Sequence, residues 1–399
     1  MSAAAGYQVQ TDFGGSRTGV LTQRLDHLYL AQVGPDQPDN EFFATMGTAW
    51  GESGGNGDFA NSPYIYGVLD YQAGAFWNGY HKAVRDRDLA RVVSRHTAQA
   101  DGHEAFRRLE GSPPGALPTF RVDWSVALPS ETTLLLSAGP GWGQRFDEFE
   151  RTDDGELVQL SGLAGTERTY RAGWNAAERW NAAVFTPGFS GRQGLWAARD
   201  GDVLWSELSM FGDQDDHAGY TAARDEDATT LYRDGEKIAE GEAFGMIHAD
   251  GLPAGPADYR LSVEADRSSS FDLSTKTAST WEFRSAATET EQPLPLWVAR
   301  FAPGVDDHNR VAARSHWLPM RLKTIPDAPV GSIAKPTVRV STDDGATWQQ
   351  IKPVPVGGNT WLLNVRPSAG AKYVSLDVTA TDSKGNRMRQ TTLHAYGLK

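Results

Sequence analysis

Residues 229–240 read TTLYRDGEKIAE. The dipeptide Asp234-Gly235 stands between two runs of alternating polarity. A two-residue loop of this kind is a type I′ turn, because both central positions need positive φ and Asp and Gly tolerate it. Such a turn sets Arg233 opposite Glu236, Tyr232 opposite Lys237 and Leu231 opposite Ile238. These are an ion pair, two amphipathic stems and an apolar pair, each favourable across an antiparallel ladder. The surrounding sequence repeats the message. YRLSVEA (259–265) places Tyr259, Leu261, Val263 and Ala265 on one face, and TFRVDWSVALP, TTLLLSAG, STWEFRS and LWVARFAP read as further strands.

The last stretch, from about 330, has strand signals at TVRVS, WLLNV, VSLDVTATD and RQTTLHAYGL, with Val374, Leu376, Val378 and Ala380 alternating. The expected fold is therefore all-β: tandem β-sandwich domains, the last immunoglobulin- or fibronectin-like. Residues 1–117 form a mostly β N-terminal domain in this reading, 118–305 a jelly-roll-like sandwich or a pair of sandwiches, and 306–399 the last sandwich. Pro- and Gly-rich punctuation falls at 110–120, 288–296 and 321–336. KAVRDRDLARVVSRH (82–96) suits a short helix or a strand, and the sequence does not choose.

Composition narrows the function. The 399 residues carry a formal charge of −13, so there is no general attraction to nucleic acid or to an anionic membrane. The absence of cysteine removes disulfides, thiolate catalysis and thiolate zinc sites. No window approaches a membrane-spanning run of apolar residues. MSAAAGYQ lacks the charged and apolar regions of a signal peptide, and the natural chain is expected to extend upstream.

Four motifs raise chemistry. GESGG (51–55) frames Ser53 as a nucleophile elbow would, but GNGDFANSP after it cannot form the required helix. A trypsin-like reading fails as well, since only His27 lies upstream; Ser53 is read as a loop residue. HEAFR (103–107) has Arg107 where a zinc-protease helix needs its second His. In FGDQDDHAGYTAARDED (211–227), Asp213, Asp215 and Asp216 are calcium candidates. An EF-hand starting at Asp213 needs Gly and Glu where Ala218 and Arg224 stand. A solvated acidic loop is the competing reading there, and also for GVDDHNR (304–310). STDDGATW (341–348) matches an Asp-box at Ser341, Asp343, Gly345, Thr347 and Trp348. This is a hairpin in which the Asp ties up turn amides, Gly takes the left-handed position and Trp packs on the core. Among the 13 tryptophans, Trp174 and Trp180 are the candidate pair for stacking on a sugar face, with core packing the commoner use of such residues.

AVRDRDLARV (83–92), RTYRAGWNAAERWNAAVF (168–185), TTLYRDGEKIAE with LPAGPADYRLSVEADRS, STDDGATW with VSLDVTATDSKGNRMRQT, and the terminal AYGL form a set. Together they resemble the C-terminal, non-catalytic region of large secreted subtilisin-like serine peptidases of actinobacteria. The resemblance covers most of 80–399. It implies secretion, a string of β-sandwich modules and an upstream protease domain. The family's catalytic Asp, His and Ser motifs do not occur in this chain, so no catalytic residue is carried over. The chain is expected to be a non-enzymatic accessory region that stabilises a protease or binds protein, polysaccharide or cell surface. The alternative is an autonomous secreted binding protein. No cofactor is implied beyond a possible calcium.

Overall fold

The structure, a computed structural model, describes residues 43–52, 59–73, 81–189, 197–241 and 244–399. It is an all-β fold of several packed sheets. Among the described residues there is no α-helix, only a 3-10 turn at Asp86–Asp88. That turn ends where strand Leu89–His96 begins, so the ambiguous 82–96 segment resolves mainly into a strand. HEAFR likewise lies in a strand, Glu104–Ser112.

Two hydrophobic cores divide the described chain. The first lies between two sheets. One runs Phe43–Gly51, Tyr64–Ala73, Ser130–Ser137, Leu89–His96, and ends on the short strands Gly173–Trp174 and Glu178–Trp180, which both pair parallel with Leu89–His96. The other runs Ala218–Thr221, Leu157–Ala164, Gly141–Arg151, Glu104–Ser112, Phe120–Ala127. Alternate residues point inward, as the strand period of two requires. Ile65, Val92 and Leu134 meet Leu109, Trp124, Trp142 and Phe146 in one buried cluster. Gly67 and Gly111 make room for Trp142: a Cβ would lie 3.2 Å from the indole at Gly67 and 3.0 Å at Gly111.

The second core is built on one long sheet. From Glu236–Glu240 it passes through Glu226–Arg233, Ala257–Asp266, Lys276–Ser285, Arg387–Leu398, Tyr373–Thr381 and Thr337–Ser341 to Gln349–Ile351. Two further sheets, one around Ala197–Asp200 and Val203–Glu207 and one around His316–Thr324 and Thr360–Val365, share its core. Trp281 of the long sheet donates its indole N–H to the Trp297 carbonyl at 2.7 Å, and Gln390 exchanges two bonds with the Ala299 backbone.

Strand pairing corrects the expected domain boundaries. Across 117/118, Glu104–Ser112 pairs with Phe120–Ala127 along their length, so the Pro/Gly-rich 110–120 segment is the end of a hairpin, with its loop at 113–119, and not a linker. Across 305/306, Thr277 to Glu282 pair with Thr392 to Arg387. The last sandwich therefore does not stand alone: its C-terminal strand completes a sheet begun by residues 226–285.

The hairpin that announced the fold is present. Asp234 and Gly235 take φ of 52° and 89°, and Arg233 pairs with Glu236 and Tyr232 with Lys237. The next pair differs. A bulge shifts Leu231 onto Ala239, which leaves Ile238 exposed. Val374 to Ala380 is also buried more evenly than simple alternation implies. Asp377 on the outward side is covered, because Arg339, Arg389 and Thr391 close over its carboxylate.

A buried polar joint ties the two cores together. Glu148, fully buried, accepts from Gln99 at 2.7 Å, His103 at 2.9 Å and Ser161 at 3.2 Å. Gln99 in turn accepts from Arg267 of the second half at 3.0 Å. Asn309, in the GVDDHNR segment, is buried at φ 59°. Its amide donates to the Ala98 and Asn181 carbonyls and accepts from the Ala183 N–H. Each group is buried with a partner, which is the condition under which polar burial is tolerated.

Candidate functional site: an aromatic row and an arginine-lined cleft

Residues of the first sheet that alternate with the core residues face outward. Register alone brings five residues of this side into a line, of which the middle one, Leu135, is covered and only 6% exposed. Trp50 pairs with Tyr66, Tyr66 with Leu135, Leu135 with Arg91, and Arg91 with Trp174. Four strand spacings make the row about 19 Å long. Its two ends are open: Trp50 is 54% exposed and Trp174 is 74% exposed. Tyr64 lies edge-on to Tyr66, with ring centres 5.8 Å apart. The Tyr66 hydroxyl donates to Asp86 at 3.1 Å, and burial, then that carboxylate, push it above the usual tyrosine range. Arg91 holds its guanidinium 4.7 Å from the Trp174 ring centre, within cation–π range.

Along Leu89–His96 the outward face continues through Val93 to Arg95. There a cleft of about 390 Å³ opens, lined by Arg95, Arg168, Glu178, Arg179, Gln214, Asp215 and His217. Its walls are set by the parallel pairing of Arg95 with Arg179. Arg95 is paired with Glu131 at 3.0 Å, and Arg179 donates to the Val305 carbonyl at 3.1 Å. Glu178 is turned inward, where Tyr170 and Gln144 donate to it and Arg168 approaches at 3.5 Å. Gln214 Oε1 is buried and finds no donor among the described residues.

The residues singled out in sequence fare differently. Trp174 belongs to the row. Trp180 does not pair with it as a platform: it is 1% exposed, stacked on His217 at 3.7 Å, with Arg107 4.0 Å from its ring centre. The strand Glu178–Trp180 alternates, and its outer two residues turn into the core. The three aspartates do not converge on an ion. Asp213 is fully buried and spends its carboxylate on the amides of Asn181, Asp215 and His217 and on the His217 ring at 2.8 Å. Asp215 faces the cleft; desolvation, then the neighbouring Asp213, push its carboxyl up. Asp216, at φ 68°, reaches the other way to Arg300 at 3.2 Å and Lys323 at 2.9 Å. Burial raises its carboxyl, but these two cations outweigh burial and hold it below the usual range. Among the described residues no group of three His, Asp or Glu side chains is placed to hold a metal. Ser53 lies outside the described residues.

The Asp-box folds as its residues dictate. Asp343 accepts from the Thr347 N–H at 2.9 Å and the Thr347 hydroxyl at 2.5 Å, and Ser341 donates to it at 2.7 Å. Gly345 sits at φ 87°. Trp348 is half-buried, with Arg339 5.8 Å from its ring centre, and is not part of the core. The motif is a local staple far in sequence from the row.

Trp50, Tyr66 and Arg91 were not visible as a site in sequence. The alternation of YIYGV and LARVVSR shows which residues face out. It does not show which strands become neighbours.

No helix among the described residues is long and apolar enough to cross a membrane. No family model matches the chain, and no curated protein matches it. Among solved structures, the chain is similar to one described as "Crystal structure of tetra-tandem repeat in extending region of large adhesion protein". The identity is 14%, covering 77% of this chain and 74% of that one, with a TM-score of 0.16. A likeness at that level carries no argument about fold or function.

Proposed function

We propose that this chain is the non-catalytic, polysaccharide-binding accessory region of a secreted subtilisin-like serine peptidase. The observation that carries the binding part is the outward row from Trp50 to Trp174. A pyranose ring has an apolar C–H face, and indole and phenol rings offer a flat apolar partner with a polar edge. A row laid across strands of one rigid sheet suits a polymer better than a compact ligand, which prefers a concave site. The accessory part rests on the sequence resemblance, which includes the segments 83–92 and 168–185 that carry Arg91 and Trp174. An autonomous secreted binding protein would use the same face.

Insoluble chitin, cellulose and peptidoglycan are the first probes. The chain is expected to be depleted from solution by at least one of them. No depletion by any of the three would overturn the binding reading. The isolated chain is also expected to hydrolyse neither casein nor ester substrates, and a hydrolysis abolished by Ser53→Ala would overturn the non-catalytic reading. An antibody against the chain, applied to the producing organism's culture medium, separates accessory region from free-standing protein. A band far above 43.4 kDa is expected, and a band at that mass would favour the autonomous alternative.

A further inference from the structure

The polysaccharide-binding reading leaves the ligand's charge open, and the structure bears on it. The chain as a whole carries −13. The edge of the first sheet beside Trp174 has the opposite character: Arg91, Arg95, Arg168, Arg171 and Arg179 all fall on or next to the strands that meet there. Carboxylates stand among them too, and most of those nearest the ring and the cleft are engaged: Asp86 accepts from Tyr66. Glu131 is paired with Arg95, and Glu178 is buried and accepts from Tyr170 and Gln144. Asp215 remains, at the cleft. Arg91 makes no ion pair among the described residues. It is exposed, and its guanidinium is already positioned against the Trp174 ring. A stacked guanidinium keeps its N–H edge free for a bidentate contact with a carboxylate in the plane beside the ring. Four residues along the same outward face, about 13 Å away, Arg95 stands at the cleft mouth.

We infer that the Trp174–Arg91 ledge and the adjoining cleft bind a polysaccharide whose sugars carry carboxylates. The sugar face stacks on Trp174, its carboxylate meets Arg91, and the next part of the chain runs toward Arg95 and Arg179. The inference rests on the binding reading above and adds the charge of the ligand to it.

Affinity electrophoresis in gels containing polygalacturonate, or the same polymer after chemical reduction of its carboxyls to alcohols, tests it. The wild-type chain is expected to bind the acidic polymer about tenfold more tightly than the reduced one, with the difference shrinking as salt rises. Arg91→Gln/Arg95→Gln is expected to lose that preference, so that the acidic and the reduced polymer retard it equally, while Trp174→Ala weakens retardation by both. Both arginines are exposed, and a thermal melt checks that the double variant is folded. Equal retardation of the wild type by the two polymers overturns the inference and leaves the binding reading standing. So does a preference for the acidic polymer that survives in the double variant. No retardation by either polymer, together with no depletion by the insoluble polysaccharides, overturns the binding reading itself.

Discussion

The two broad outward faces of this molecule differ in how far their charges are matched and how much aromatic surface they leave open. On the long sheet of the second half most of the charges are matched in place. Arg387 approaches Glu282 at 3.8 Å, Arg339 and Arg389 close on Asp377, and Arg260 covers the Tyr232 ring at 3.9 Å. On the first sheet Arg95 is likewise paired with Glu131, but two tryptophans stand open at the ends of a row, and Arg91 makes no ion pair among the described residues and lies against the Trp174 ring. A sheet face that needs nothing beyond water can neutralise itself. A face that leaves large aromatic surface exposed forgoes that local compensation, and the proposed binding rests on that difference. The second half is accordingly the scaffold in this account, and the first sheet the working surface.

That division can be broken most forcefully in the scaffold. Trp281 is buried, bonded to the Trp297 carbonyl, and central to the shared core. Trp281→Ala is expected to cost about 3–5 kcal/mol in urea unfolding, while the remaining folded protein binds polysaccharide as before. Next comes the joint. Asn309→Ala removes the amide that ties residues 98, 181 and 183 together and is expected to cost about 1–3 kcal/mol. Calorimetry should then show the two cores separating into distinct transitions. A variant that still melts as one unit at the wild-type temperature would mean that the cores are held by other contacts. Trp174→Ala inverts the pattern: stability within about 0.5 kcal/mol of wild type, and binding lost.

The smallest effect belongs to the Asp-box. The Thr347 hydroxyl and amide, then the Ser341 hydroxyl, hold the Asp343 carboxyl down at about 2. A folded-state value below the unfolded one gives stability that is fully present above the usual Asp range, near 4, and lost as pH falls toward 2. Asp343→Asn is expected to flatten stability against pH in that acid window and leave neutral-pH binding unchanged. An unaltered acid limb would show that the box contributes nothing there.

Local chemistry was readable in the sequence, and neighbour choice was not. The Asp234-Gly235 turn and the Asp343 bonds are made within a few residues, so composition and spacing specify them. The bulge that moves Leu231 onto Ala239 depends on the sheet around it. The shared long sheet was missed because Thr277 to Glu282 find their partners more than a hundred residues away. The same limit hid the row. Tyr66 meets Leu135, and Arg91 meets Trp174, only after two distant parallel pairings have formed. Trp180 misled for a related reason, since alternation within Glu178–Trp180 sends it inward onto His217.

The most direct test sets the two faces against each other. The wild type, Trp174→Ala on the first sheet and Tyr232→Ala on the long sheet are mixed in parallel with the insoluble polysaccharide that depletes the wild type best, and the protein left in solution is measured. This account predicts that Tyr232→Ala is removed as fully as the wild type and that Trp174→Ala stays in solution. Depletion of Trp174→Ala with loss of Tyr232→Ala binding would contradict it and move the working surface to the long sheet.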